Sequence, residues 1–113
     1  MKLPSAERAA IAPAKIRDYL LSTSHPVGRF KAPFFASLGY TSVNWLRLDK
    51  DLRDLAVSGD AELGKDSPYG QKYEIRGTLR GPSGRFAEVL TVWIILFGGD
   101  VPQFVTAFPG EMT

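Results

Sequence analysis

KYEIRGTLRGPSGRFAEVLTVWIILF, residues 72–97, decides the fold. Tyr73, Ile75, Gly77 and Leu79 alternate with Lys72, Glu74, Arg76, Thr78 and Arg80. A period of two with one charged set of positions predicts a half-buried antiparallel strand. Gly81-Pro82-Ser83-Gly84 then reads as a turn. Arg85 to Phe97 is a second, longer strand. Its later half is apolar on both faces, which places it centrally in a sheet. Gly98-Gly99-Asp100 makes another turn, and Val101 to Phe108 closes a three-stranded meander. A short strand near Arg8 to Ile11, or near Ala61 to Leu63, is positioned to add an edge.

The turn sets a register. Pairing Arg80 with Arg85 sets Arg76 opposite Val89, Glu74 opposite Thr91 and Lys72 opposite Trp93, all on one polar face. The other face then carries Tyr73, Ile75 and Leu79 with Phe86, Leu90, Val92 and Ile94, and is expected to hold the helices.

Upstream of Gly64 the period is helical. Pro13 suits a first helical position, with Ile16, Tyr19 and Leu20 on one face and an end near Leu21 or Ser22. A polar connector, Ser22-Thr23-Ser24-His25-Pro26, follows. A second helix is expected near Arg29 to Leu38, with Phe30, Phe34, Phe35 and Leu38 as its stripe and Pro33 in its first turn. Gly39 is a natural stop. Thr41 or Ser42 is placed to cap a third helix, whose Trp45, Leu48, Leu52 and Leu55 repeat toward a core and which Gly59 ends. The expected class is α+β. About three N-terminal helices pack on one face of a C-terminal antiparallel β-meander of three to four strands. A single domain is expected over 1–113, with its helical part about 13–58 and its sheet part about 69–109.

Composition bounds the chemistry. At 113 residues there is room for one core. No cysteine is present, which excludes disulfides, thiol nucleophiles and thiolate zinc sites, and a single histidine argues against an all-protein transition-metal site. No cofactor is expected. The apolar run Val89 to Phe97 is far short of the roughly 20 residues that span a bilayer. Met1 to Ala10 lacks the apolar core of a signal peptide. The expectation is a cytoplasmic protein with no membrane partner. The net charge is only +2, but its distribution is uneven. Lys2, Arg8, Lys15, Arg17, Arg29 and Lys31 face only Glu7 and Asp18 in the first 31 residues. Lys72, Arg76, Arg80 and Arg85 face only Glu74 in the hairpin. Between them lies a more acidic middle. Brought together, the two basic segments form a cationic surface, with Lys15, Arg17, Arg29, Lys31 and Arg76 as its expected members.

Three blocks carry a resemblance. They are KIRDYLLSTSHPVGRFKAPFFASLG at 15–39, YGQKYEIRGTLRGPSGR at 69–85 and VWIILFGGDVPQFVTAFP at 92–109. Together they resemble a family of uncharacterised bacterial domains with an H-P-x-G…FF-x-x-LGY, YG-x-KY…GP-x-GR and W-I…VTAYP pattern. Members of that family occur as stand-alone proteins and as polymorphic-toxin tips. The family often has a charged residue at the position of Pro33 and a tyrosine at that of Phe108. At the level of fold the layout looks distantly like the barnase, colicin and RelE-type ribonuclease toxins. The resemblance implies a small toxin, a metal-independent ribonuclease controlled by a cognate antitoxin or immunity partner.

Such chemistry needs a base for a 2′-OH, an acid for the departing 5′-oxygen and cations for the phosphorane. His25, Glu74, Arg76 and Thr106 are the candidates for catalysis, with His25 as the proton-transfer residue because imidazole titrates near neutrality. Arg29, Lys31, Arg85 and Trp93 are the candidates for holding RNA, the cations at phosphate and Trp93 by stacking a base. Tyr73 is a second stacking candidate, although parity puts it on the core face. Plainer roles compete. Glu74 and Arg76 also suit cross-strand pairing, and Gly81 to Gly84 lacks the lysine and helix of a phosphate loop. Two further function classes stay open. One is a non-catalytic immunity or adaptor module using the same sheet face. The other is an RNA-binding accessory without cleavage.

Overall fold

The computed structural model describes residues 1–110. A 3-10 turn at Ala6–Arg8 precedes α1, Pro13–Lys15, which continues as a π turn over Ile16–Leu20. A second 3-10 turn, Gly28–Phe30, leads into α2, Ala32–Ser37, and α3, Trp45–Ser58, follows. The strands are β1 (Ala61–Leu63), β2 (Gly70–Arg80), β3 (Phe86–Leu96) and β4 (Gln103–Pro109), antiparallel and in chain order. Both candidate edges are used. Ala61–Leu63 is the outer strand beside β2, and Ala10 bridges Gln103 in parallel beyond β4.

The helices form where the apolar spacing puts them. Ile16 and Leu20 are buried in the first, Phe35 and Leu38 in the second, and Leu48, Leu52 and Leu55 in the third. Pro33 stands in the first turn of α2, where its missing N–H costs nothing. Gly39 follows with φ 97°, the left-handed geometry that terminates helices. The cap of α3 differs from expectation. Asn44 is the N-cap residue, tied to Thr41 by a pair of hydrogen bonds in which each backbone N–H meets the other's side-chain oxygen. Phe30 leaves the expected stripe. It is 74% exposed because its segment is a 3-10 turn rather than the start of α2, and the Arg29 guanidinium stacks on its ring.

The hairpin register is shifted by one residue from the expected one. Gly81 N–H donates to the Arg85 carbonyl, and Gly84 N–H to that of Gly81. The loop is therefore Pro82-Ser83-Gly84, with Gly84 at φ 87°. A three-residue loop closed by a left-handed glycine replaces the four-residue turn. Arg80 thus pairs with Phe86, Arg76 with Leu90, Glu74 with Val92 and Tyr73 with Trp93. One residue of slip turns every β3 side chain to the other face. Val89, Thr91 and Trp93 point into the core, while Leu90, Val92 and Ile94 share the outer face with Arg76, Glu74 and Lys72. Trp93 is fully buried, packs edge-on against Phe104 and donates its indole N–H to Thr91 Oγ1 at 2.9 Å. Thr91 donates onward to the Ile75 carbonyl, so this buried polar chain is satisfied. Trp93 as a base-stacking surface is therefore a correction: the indole is core.

Candidate functional site

The site starts from a tight connector. Val27 and Gly28 N–H groups both donate to His25 Nδ1, at 3.0 Å each, and Arg29 N–H donates to the His25 carbonyl at 3.1 Å. With Nδ1 engaged as acceptor, the neutral ring carries its proton on Nε2. Gly28 has a second duty. A Cβ there would lie 1.8 Å from the Tyr19 carbonyl oxygen, so only glycine lets the connector pack on the π turn. That turn is closed by Leu21 N–H donating to the Ile16 carbonyl at 2.9 Å. Such widened turns recur at functional sites. Here the turn carries Tyr19, whose ring meets the His25 ring edge-on with centroids 5.0 Å apart.

Opposite Tyr19 stands β4. Val92 pairs with Thr106 but Trp93 pairs with Phe104, so Val105 is an extra residue in the strand. A bulge of this kind re-aims its neighbours. Phe104 and Ala107 stay in the core while Thr106 takes the outer face. Lys31, between the second 3-10 turn and α2, joins the two sides. Its ammonium donates to the Tyr19 hydroxyl oxygen and to Thr106 Oγ1, both at 2.6 Å. The Tyr19 and Thr106 oxygens are 3.0 Å apart. The same ammonium lies 4.9 Å from the Tyr19 ring centre and 5.7 Å from that of Phe108. Among the described residues no carboxylate forms a salt bridge with Lys31. An ammonium held by hydroxyls and rings, with no carboxylate beside it, is placed to meet an anion. Lys15 adds a second cation, 5.6 Å from the Tyr19 ring centre.

These charges act on the Tyr19 phenol. Burial pushes it up, but the hydrogen bonds from Lys31 and Thr106 and the charges of Lys31 and Lys15 outweigh that and hold it below the usual tyrosine range. Beside the cluster a cavity of about 590 Å³ opens, lined by Lys15, Asp18, Tyr19, His25, Val105 and Thr106. The arrangement gathers an imidazole, a hydroxyl, a cation without a carboxylate partner among the described residues and a phenol beside one concave place. That is the equipment for binding and polarising an oxyanion.

Of the sequence candidates, His25, Lys31 and Thr106 meet here. Glu74 and Arg76 do not. They line a separate cavity of about 160 Å³ with Asp60, Glu62 and Leu90. Glu74 shares a row with Val92 and Thr106, two strands away, about 10 Å across the sheet. The Arg76 guanidinium donates to the Gly110 carbonyl at 2.5 Å. Arg29 lies on the exposed Phe30 ring, and Arg85 is at the hairpin tip beside Gly84. Among the expected cationic surface, Arg17 stacks on Trp45. Tyr19 was missed, since it reads as one member of an apolar stripe. The one signal was its hydroxyl, which in a half-buried place requires a partner. Among the described residues no three His, Asp or Glu side chains gather as a metal site. No helix among them is long and apolar enough to cross a membrane.

No curated protein matches the chain. The chain is similar to a solved chain from a contact-dependent growth inhibition toxin–immunity protein complex of Klebsiella pneumoniae 342. It superposes with a TM-score of 0.67 at 19% identity, over 88% of this chain and 97% of that one. The shared feature is the fold: helices first, then the antiparallel meander. The family model called Domain of unknown function (DUF6883) matches residues 2–111. By that match the chain belongs to this family.

Proposed function

We propose that the chain is a small toxin that cleaves RNA without a metal ion and is held in check by a cognate antitoxin or immunity protein. One observation carries the reading. Tyr19, His25 and Thr106, far apart in sequence, line one cavity, and beside it the Lys31 ammonium, with no carboxylate partner among the described residues, bonds both Tyr19 and Thr106. In this reading the Lys31 ammonium faces the reacting phosphate with its remaining proton. Thr106 and His25 Nε2–H add neutral donors around the phosphorane, the charge-stabilising part of cleavage. Arg29, Arg85 and Lys15 lead RNA to the pocket, and Glu74 and Arg76 contact it beyond the reacting phosphate.

The likeness to a chain from a toxin–immunity complex supports a place in a toxin and inhibitor pair. It suits the neutralising side as well, where the same surface would bind protein and cleave nothing. Expression tests the difference. The chain produced alone is expected to arrest growth, and a small protein encoded beside it to restore growth. His25→Ala and Lys31→Met variants that stay folded are expected to lose the arrest. Growth that continues with abundant folded parent present would remove the toxin reading and leave the interaction module.

A further inference from the structure

We propose that Tyr19 and Lys31 form the proton-relay pair of this cavity, with Tyr19 as base and Lys31 as acid. The proposal rests on the reading of the cavity as an RNA-cleaving site. It starts from what His25 offers there. Its Nδ1 is occupied by two backbone N–H groups, so the ring presents Nε2–H and accepts a proton only if both bonds open. Another group must take the 2′-OH proton.

Tyr19 is built for that. Lys31 Nζ–H donates to its oxygen at 2.6 Å, and the Thr106 hydroxyl stands 3.0 Å away as either donor or acceptor. When Tyr19 is a phenolate, Lys31 and Thr106 both donate to it. When it is a phenol, Thr106 turns and accepts. Both charge states are therefore satisfied without moving a backbone atom, as a group that cycles through both requires. The ionisable groups around it are Lys15, Asp18, His25 and Lys31, two of them cations at 5.6 and 4.9 Å from its ring centre.

The step balances. The phenolate takes the 2′-OH proton as the O2′–P bond forms, and the P–O5′ bond breaks. The departing 5′-oxygen takes a proton from the Lys31 ammonium. The phenol proton then crosses the 2.6 Å bond to the Lys31 amine, which restores the pair. The products are a 2′,3′-cyclic phosphate and a 5′-hydroxyl, with no net proton consumed.

The test uses the full chain and total bacterial RNA, followed as cyclic-phosphate ends across pH. The parent rate is expected to rise with pH and level off below the usual tyrosine range. Tyr19→Phe, which keeps the ring, is expected to lose about 10²- to 10⁴-fold and the levelling with it. Tyrosinate absorbance gives a readout independent of activity. The Tyr19 component, absent in Tyr19→Phe, is expected to titrate at higher pH in Lys31→Met. An active parent whose Tyr19→Phe variant keeps rate and profile, or a Tyr19 titration indifferent to Lys31→Met, overturns the relay alone. A folded parent that leaves RNA intact overturns the cleavage reading, and the relay goes with it.

Discussion

At the scale of single residues, two polar chains lie on the neighbouring strands β3 and β4 and do opposite things. Thr91 donates to the Ile75 carbonyl and accepts from Trp93, wholly inside the core. Thr106 shares Tyr19 and Lys31 at the mouth of a cavity. The first is structural. Thr91→Val keeps the shape and strands the indole N–H, so a loss of about 1–3 kcal/mol is expected in chemical denaturation. The second is not needed for the core. Thr106→Val is expected to unfold close to the parent while RNA cleavage falls about 10²- to 10³-fold, the size of a lost oxyanion donor. Tyr40 supplies a third case. Burial, then its 2.6 Å hydrogen bond to Asp51 and that carboxylate's charge, push its phenol well above the usual range.

At the scale of elements, the sequence periods were enough for the helices, the strand order and the buried stripes, because burial alternates with the geometry of each element. They were not enough for the register. Whether four or three residues fill the Gly81 to Arg85 turn depends on the left-handed Gly84, and Gly81 is pressed onto α2, where a Cβ would come 1.9 Å from the Leu38 carbonyl oxygen. Leu38 accepts from Ser83 N–H at 3.0 Å, so the hairpin tip also finishes the helix. These are tertiary contacts, invisible to a pattern along the chain. The same holds for the site. His25, Lys31 and Thr106 were legible as chemistry, but the Val105 bulge that turns Thr106 toward Tyr19 has no sequence signature. Nor does parity along β3 reveal that Trp93 is core. The H-P-V-G connector is the element that joins fold and site. Gly28→Ala is expected to push the connector off the π turn and to lower RNA cleavage by about 10²-fold, a misplacement effect. Circular dichroism of the sheet should stay like the parent's.

At the scale of the molecule, two phenols oppose each other as pH rises. Tyr40 has a raised value in the fold, so its stabilisation is complete below the unfolded value of 10.0 and is lost as pH climbs past it. Tyr19 is lowered, so its contribution grows as pH approaches and passes that same 10.0. Tyr40 is the more strongly shifted, and net stability is expected to fall above pH 10.0. Tyr40→Phe should be less stable than the parent at neutral pH and flatter above that point, as read from urea midpoints across pH. Charge sets the other global expectation. With a net charge of only +2, RNA binding must rest on a local cluster of cations, so affinity should fall as salt rises with a slope of about 0.7 per phosphate neutralised. The measurement that bears most directly on the whole account is cleavage of total bacterial RNA by the purified chain, beside its His25→Ala and Lys31→Met variants. The account predicts fragments ending in 2′,3′-cyclic phosphate with the parent and intact RNA with both folded variants. Intact RNA with the folded parent, or equal fragments from all three, would contradict it.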